Sequence, residues 1–548
     1  MTRLTGRAAT CRALGQVATL VSALVLAPFA SAVAQPAAAA PTLNAPRLRA
    51  LDFSPFDTAL ANFSDTYARV IGIVLAAANV PGIQDAMKTG TFNSEELLLY
   101  YLQRLHRHDD RLRSLLELNP RALEEARASD ARRAAGKLIG PLDGIPVTLK
   151  DNIETAGPMH TTAGAELLLD RMAAQDAPLV AQLRAAGAVI LGKANLSEFA
   201  GVITDQPLAG GGFSAVGGQA ANPHGVPVTG GSSAGSAVGV AAGLTMLSVG
   251  TETSGSLLSP AAWNSVVAMK PSRGVVDGRG IVPLLRNNDS AGPVARSVTD
   301  AALLLGVIGG RNDDYRAALK ADALDGVTVG LLNQLVLMAE GNAAPLQTAA
   351  TTLQMAGARL RPAPLLHTPD WADPLAFLRL LAAGIRHDMM GYVASLGLPV
   401  RTLEDLMAYN QAQPQRRIPF GQEQLTRLLS LTGNTTVSAA DFAAQARSLT
   451  QQAAAMLDAA FAKTGAQVLV SLDNEHSSYY ATAGYPAVTV PLGVRSQPGG
   501  QPGQMGVSQP GVPVGVTLIG KPGEDARLLG YAYAFEQASR LRVDPRLR

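Results

Sequence analysis

Amphipathic helices alternate with short, almost unbroken apolar runs along much of this chain, and that alternation is what most constrains its fold. Ile145-Pro146-Val147-Thr148-Leu149-Lys150 reads as a short buried strand, residues 177–186 as an amphipathic helix, and Gly187-Ala188-Val189-Ile190-Leu191-Gly192 as the next strand. Strands without polar alternation need cover on both faces, and the intervening helices supply it. The pattern predicts an α/β fold with a largely parallel sheet between helical layers. Residues 246–249, 327–332, 467–472, 487–492 and 514–519 are further strand candidates. A helix starts at Ser94-Glu95-Glu96, with Leu97, Leu98, Tyr101 and Leu105 at helical spacing, and residues 121–134 form a second, charged one. Residues 333–464 read as a mostly helical, polar, variable insertion over the sheet, and residues 496–510 as a mobile Pro/Gly/Gln-rich loop. The 54 glycines and 34 prolines follow no collagen-like period, and no internal repeat is visible. The 548 residues could hold several domains, although a large α/β enzyme can use that length as one.

The N-terminus has a separate logic. Arg3, Arg7 and Arg12 flank or precede an apolar run over residues 13–27, and Ala32-Val33-Ala34 offers a small-x-small cleavage site. This order predicts a Sec-type signal peptide over residues 1–34 and a periplasmic or secreted protein. Gln16, Thr19, Ser22 and Pro28 break the run, leaving it short of the roughly 20 residues of a bilayer span, so no stable membrane anchor is expected. Residues 35–48 read as a disordered Ala/Pro-rich leader and residues 49–548 as the folded domain. Removing the three leader arginines from 45 basic residues leaves 42 against 43 acidic ones, which gives no electrostatic reason to expect a nucleic-acid partner. The only cysteine, Cys11, lies in the leader, so the mature chain has no disulfide, thiol nucleophile or cysteine metal ligand. No His/Asp/Glu group shows metal-ligand spacing, and no metal or cofactor is expected.

The chemistry concentrates between residues 229 and 271. Gly230-Gly231-Ser232-Ser233-Ala234-Gly235-Ser236-Ala237 leads into a helix of small residues, and Gly250-Thr251-Glu252-Thr253-Ser254-Gly255-Ser256 follows the next strand. Two serine-bearing loops separated by one helix and one strand can return to the same place. One reading is a structural Gly/Ser loop. A second is a nucleophile elbow with Ser233 at its centre, since Gly231-Ser232-Ser233-Ala234-Gly235 fits G-x-S-x-G. That motif needs a strand directly before it, and Pro223 and Pro227 oppose one. A phosphate loop would need a lysine after the glycines, and there is none.

A third reading comes from several motifs in fixed order. Gly144-Ile145-Pro146-Val147-Thr148-Leu149-Lys150-Asp151-Asn152, the GGSSAGSA and GTETSGS runs, Leu191 to Glu198, Met269-Lys270-Pro271, Asp289 to Pro293, Ala483 to Ala487 and Pro513 to Gly520 together resemble the amidase signature family. Glu252 and the Glu117-Leu118-Asn119-Pro120 run resemble the peptide amidase branch most. The resemblance implies a large twisted mixed sheet sandwiched between helices, in a single large domain. It implies hydrolysis of linear carboxylic amides, with a small-molecule or peptide amide as substrate. It assigns Ser256 as nucleophile, Ser232 as a bridging serine preceded by a cis peptide bond, and Lys150 as base. The backbone N–H groups of Thr253, Ser254, Gly255 and Ser256 match the family's oxyanion hole.

These residue types suit that chemistry. An amide is a poor electrophile with a poor leaving group, so a nucleophile must be activated, an oxyanion stabilised and the departing amine protonated. A lysine serves as base only when neutral, and burial favours that form. None of the histidines is required, although His160 and His224 lie close to the motifs in sequence. Ser254, Leu258, Ala234, Ser265, Ala268 and Met269 depart from the common family pattern without removing a catalytic group. Substrate choice is expected to reside in residues 333–464 and 474–480. Two other classes stay open: the A-type subunit of a tRNA-dependent amidotransferase, and a non-catalytic periplasmic binding protein of the same fold.

Overall fold

An 11-stranded mixed sheet runs through the protein. The computed structural model describes residues 47–203, 211–310, 314–332, 342–363, 375–432, 437–495 and 511–547. The expected signal peptide and the loop at 496–510 lie outside the described residues. The strands are β1 (Leu115–Leu118), β2 (Pro146–Lys150), β3 (Val189–Ala194), β4 (Phe213–Ser214), β5 (Gly218–Gln219), β6 (Leu247–Glu252) and β7 (Val267–Lys270). They continue with β8 (Ser290–Ala295), β9 (Thr328–Leu331), β10 (Arg359–Pro362), β11 (Val468–Leu472), β12 (Ala487–Val494) and β13 (Pro513–Ile519). The large sheet runs β1-β3-β2-β6-β8-β7-β12-β13-β11-β9-β10, and β4 pairs with β5 in a separate hairpin.

The sheet is less parallel than the helix–strand alternation predicts. β3, β2 and β6 run parallel, as do β11, β9 and β10. From β6 through β8, β7, β12 and β13 to β11 every pairing is antiparallel. A strand buried on both faces reads as the same apolar run whichever way its neighbours point. β8 also carries Gly292 and Pro293 inside an interior strand, residues that argue against one. The ladder with β7 ends at Ala268↔Val294, just short of the proline. Gly292 is needed because a Cβ there would lie 1.9 Å from the Met269 carbonyl.

Helices cover both faces. Ser94–Leu112 starts at a capping box, in which Asn93 Oδ1 accepts from the Glu96 amide at 2.8 Å and Glu96 Oε2 accepts from the Asn93 amide at 2.7 Å. It buries Leu97, Leu98, Tyr101, Leu102 and Leu105 in the same core cluster as Val147 and Leu149 of β2. Because strand side chains alternate, Thr148 and Lys150 point to the opposite face. There Thr148 Oγ1 meets Ser248 Oγ at 2.9 Å. The helix Ala234–Ala241 is buried at every residue. Its small side chains permit the approach: a Cβ on Gly235 would stand 2.2 Å from the Ser114 carbonyl.

Between residues 333 and 464 the chain forms several helices and also the exposed edge strand β10. The long helix Ala439–Thr464 places Phe442, Ala446 and Leu449 in a cluster with Leu257, Leu258 and Ala261. Ile385, Met389 and Val393 join Ala163, Phe199, Val282 and Leu284 in another. Among the described residues, no helix is long and apolar enough to cross a membrane.

Candidate active site

β2 and β6 are parallel neighbours, so their C-terminal ends meet at one edge. That register sets Lys150, the last residue of β2, beside Thr251 near the end of β6. Lys150 Nζ lies 2.7 Å from Ser232 Oγ, 2.9 Å from Thr251 Oγ1 and 3.2 Å from the Thr251 carbonyl. The lysine is fully buried. Burial brings its pKa down from 10.5 to about 7, against the upward pull of the Asp289 and Glu252 carboxylates.

Ser232 follows a cis Gly231–Ser232 peptide, and its carbonyl accepts from the Ser197 amide at 3.0 Å. Ser256 lies across from it on the loop after β6. The two loops are tied together where the Ser233 amide donates to the Ser256 carbonyl at 3.1 Å. The lysine and the first serine are therefore joined directly, and the second serine is joined through the neighbouring backbone. Ser256 keeps 9 % of its surface exposed, against 2 % for Ser232.

The loop carrying Ser256 is braced from several sides. Glu252 Oε2 accepts from the Leu257 and Leu258 amides at 2.8 and 3.2 Å, closing a turn around residues 253–256. Thr253 Oγ1 donates to Asp289 Oδ1 at 2.6 Å, and Asp289 Oδ2 accepts from the Leu284 and Leu285 amides. Burial raises the pKa of Asp289. Among the described residues, the amides of Thr253, Ser254, Gly255 and Ser256 have no protein acceptor, leaving four donors grouped beside the serine. Gly255 has φ +80°, and a Cβ on it would stand 2.5 Å from Asn474 Nδ2. Ser254 Oγ donates to Ser477 Oγ at 3.1 Å, so one departure from the family pattern contacts the variable 474–480 segment. Leu258, another departure, is fully buried in the core.

The elbow arrangement is not formed. No strand runs directly into Ser233, the last before it ending at Gln219, and the Ser233 hydroxyl is engaged with Thr251, donating to the carbonyl at 3.0 Å and accepting from the amide at 3.2 Å. The two nearby histidines are occupied elsewhere. His160 Nδ1 contacts Glu117 Oε1 at 2.8 Å, and His224 Nε2 contacts the Asn264 carbonyl at 3.2 Å. Among the described residues no three His, Cys, Asp or Glu side chains group as metal ligands.

Sequence reasoning singled out the lysine and the serines but not their supports. Thr251 and Glu252 sit inside the GTETSGS run, yet nothing in the run separates a bracing residue from a spacer. The contribution of Asn152, whose Nδ2 donates to Thr251 Oγ1 at 3.0 Å, depends on the β2–β6 register and is invisible in one dimension.

A mixed sheet presents a buried lysine–serine pair beside a loop whose amides lack protein acceptors, an arrangement suited to acyl transfer through a serine, and comparison with known proteins makes the class specific. The Amidase family model matches residues 96–529, and the chain belongs to that family. A probable amidase of Arabidopsis thaliana is 32 % identical over 86 % of this chain and 91 % of its own length. The A-type subunit of the glutamyl-tRNA(Gln) amidotransferase of Moorella thermoacetica is 33 % identical over 83 % of this chain and 96 % of its own. Among solved structures, an amidase family protein from Bacillus anthracis has a TM-score of 0.81 at 34 % identity, covering 90 % of this chain and 97 % of that one. The peptide amidase of Stenotrophomonas maltophilia has a TM-score of 0.76 at 37 % identity, covering 86 % and 99 %.

Proposed function

We propose that the protein hydrolyses linear carboxylic amides to an acid and an amine or ammonia through an acyl-enzyme on Ser256. The observation that carries this reading is the 2.7 Å contact between Ser232 Oγ and a fully buried Lys150 whose pKa is brought to about 7. An amine held near neutrality in that way can take up a proton. Neutral Lys150 takes the Ser232 proton while Ser232 takes that of Ser256, and Ser256 Oγ bonds to the substrate carbonyl carbon. The carbonyl electron pair moves onto oxygen, which the amides of Thr253, Ser254, Gly255 and Ser256 stabilise by hydrogen bonding. Collapse of this intermediate breaks the C–N bond, and the proton on Lys150 returns through Ser232 to the leaving nitrogen. Water then adds to the acyl carbon by the same relay, releasing the acid and restoring Ser256. No step calls on a cofactor.

The likeness to a peptide amidase makes peptide C-terminal amides the first substrate class to test, followed by aryl acylamides and carbamates. A second reading, an amidotransferase A-type subunit, is favoured by the relative from Moorella. The near-neutral charge and the leader of the exported-protein type weigh against it. A panel of amides, esters and carbamates, assayed for released amine and acid, tests the hydrolytic reading. Ser256→Ala abolishes turnover, and Lys150→Arg does not rescue a Lys150→Ala loss, because a guanidinium stays protonated. Export is tested by N-terminal mass analysis after expression with the native leader. A mature chain starting near Gln35 outside the cytoplasm supports it, and soluble cytoplasmic protein retaining Met1 contradicts it.

A further inference from the structure

A neutral lysine amine has two N–H donors and one lone pair, and it acts as a base only when the lone pair points at the proton to be taken. Among the described residues Lys150 Nζ has three oxygen neighbours, of which two belong to one residue: Thr251 Oγ1 at 2.9 Å and the Thr251 carbonyl at 3.2 Å. The third is Ser232 Oγ at 2.7 Å. Thr251 is itself fixed. Its amide and carbonyl are bound by Ser233 Oγ, and its hydroxyl is held by the Asn152 amide at 3.0 Å. Thr251 and Asn152 are both buried, so water does not readily replace these contacts.

We propose that Thr251 is a positioning residue for the Lys150 base, its two oxygens occupying both N–H groups of the neutral amine so that the lone pair is left facing the Ser232 hydroxyl. The inference rests on the Lys150–Ser232–Ser256 relay proposed above and adds a residue that acts through Lys150. It gives a reason for a hydroxyl at this point of β6: a valine of nearly the same shape would fill the space but leave one amine hydrogen unpaired and the amine free to turn. In the protonated state the same oxygen is one of three acceptors around the ammonium, so its removal disfavours the charged form more than the neutral one. The charged groups facing Lys150 are Asp289, which precedes β8, and Glu252, which ends β6. A Thr251 substitution changes neither.

The test needs no knowledge of the natural substrate. The second-order rate of Ser256 labelling by a fluorophosphonate probe is measured across pH 5 to 10 for the wild type, Thr251→Val and Thr251→Ser. For Thr251→Val the alkaline plateau falls about tenfold or more, in line with the loss of a hydrogen bond to an ionisable group. Its acid limb moves to lower pH by about one unit, because an acceptor of the charged form is gone. Thr251→Ser keeps the oxygen and retains the wild-type limb. Thr251→Ala carries the same expectation as the valine variant and replaces it if that chain does not fold. A Thr251→Val limb and plateau equal to the wild type would overturn the proposal, as would a lowered plateau with an unmoved limb, which marks a merely structural role. Failure of the relay itself looks different: Ser256 then goes unlabelled in the wild type, or is labelled as fast in Lys150→Ala as in the wild type.

Discussion

Lowering the pH disables the proposed base without altering the chain, and the structure sets where this happens. Lys150 must be neutral to accept a proton, so activity is present above its pKa in the folded protein and is lost as pH falls through it. Burial brings that pKa from 10.5 to about 7. At pH 8 about nine-tenths of such a lysine is neutral, whereas an unperturbed one would be neutral in only about three molecules per thousand. The net shift corresponds to roughly 5 kcal/mol, the excess of desolvation over the attraction of the two carboxylates, and it is supplied by folding rather than by the substrate. The assay is kcat/KM for an amide at low substrate concentration across pH 5 to 10, which reports the free enzyme. The expected profile has one acid limb with its midpoint near pH 7, falling about tenfold per unit below it, and a plateau above. Glu252→Gln keeps an acceptor for the Leu257 and Leu258 amides but removes a charge that favours the ammonium, so its limb moves to lower pH. A flat profile between pH 5 and 9, or a midpoint near 10, would refute the assignment of a desolvated lysine base.

Other outcomes follow from individual contacts. Ser233→Ala removes both hydrogen bonds to Thr251 and destabilises the fold by about 1–3 kcal/mol, read as a lower Tm, while turnover persists; complete loss of turnover in a folded variant would revive the elbow. Gly235→Ala drives a Cβ to 2.2 Å from one backbone carbonyl and 2.5 Å from the Asn195 amide, so soluble yield or Tm drops sharply. Gly391→Ala, on an exposed helical turn with nothing within 4 Å, holds or raises the Tm, and the reverse order for the two glycines would contradict the packing described. His160→Ala and His224→Ala keep most of kcat, and activity survives EDTA; loss on chelation with recovery on adding zinc would point to a different hydrolytic centre.

Features that a one-dimensional pattern encodes were readable in the sequence. Apolar runs and helical spacing marked β2, β3, β6, β9, β11, β12 and β13 and the helix from Ser94. Strand direction was not readable, because an apolar run buried on both faces carries no sign. β8 was hidden by Gly292 and Pro293, and β10 by its exposed Arg359 and Arg361 on an edge. At the site, Lys150, Ser232 and Ser256 stood out through motif order, whereas Thr251, Asn152, Glu252 and Asp289 matter through contacts made across strands and loops. The Ser254–Ser477 contact joins residues 223 positions apart, and no local pattern predicts it.

Everything proposed for the chemistry turns on Ser256, and not Ser233, being the nucleophile. Peptide mapping by mass spectrometry after fluorophosphonate treatment decides between the two serines. The relay predicts a single adduct on Ser256, absent from Ser256→Ala and strongly slowed in Lys150→Ala and Ser232→Ala. An adduct on Ser233, or full turnover by Ser256→Ala, would contradict it.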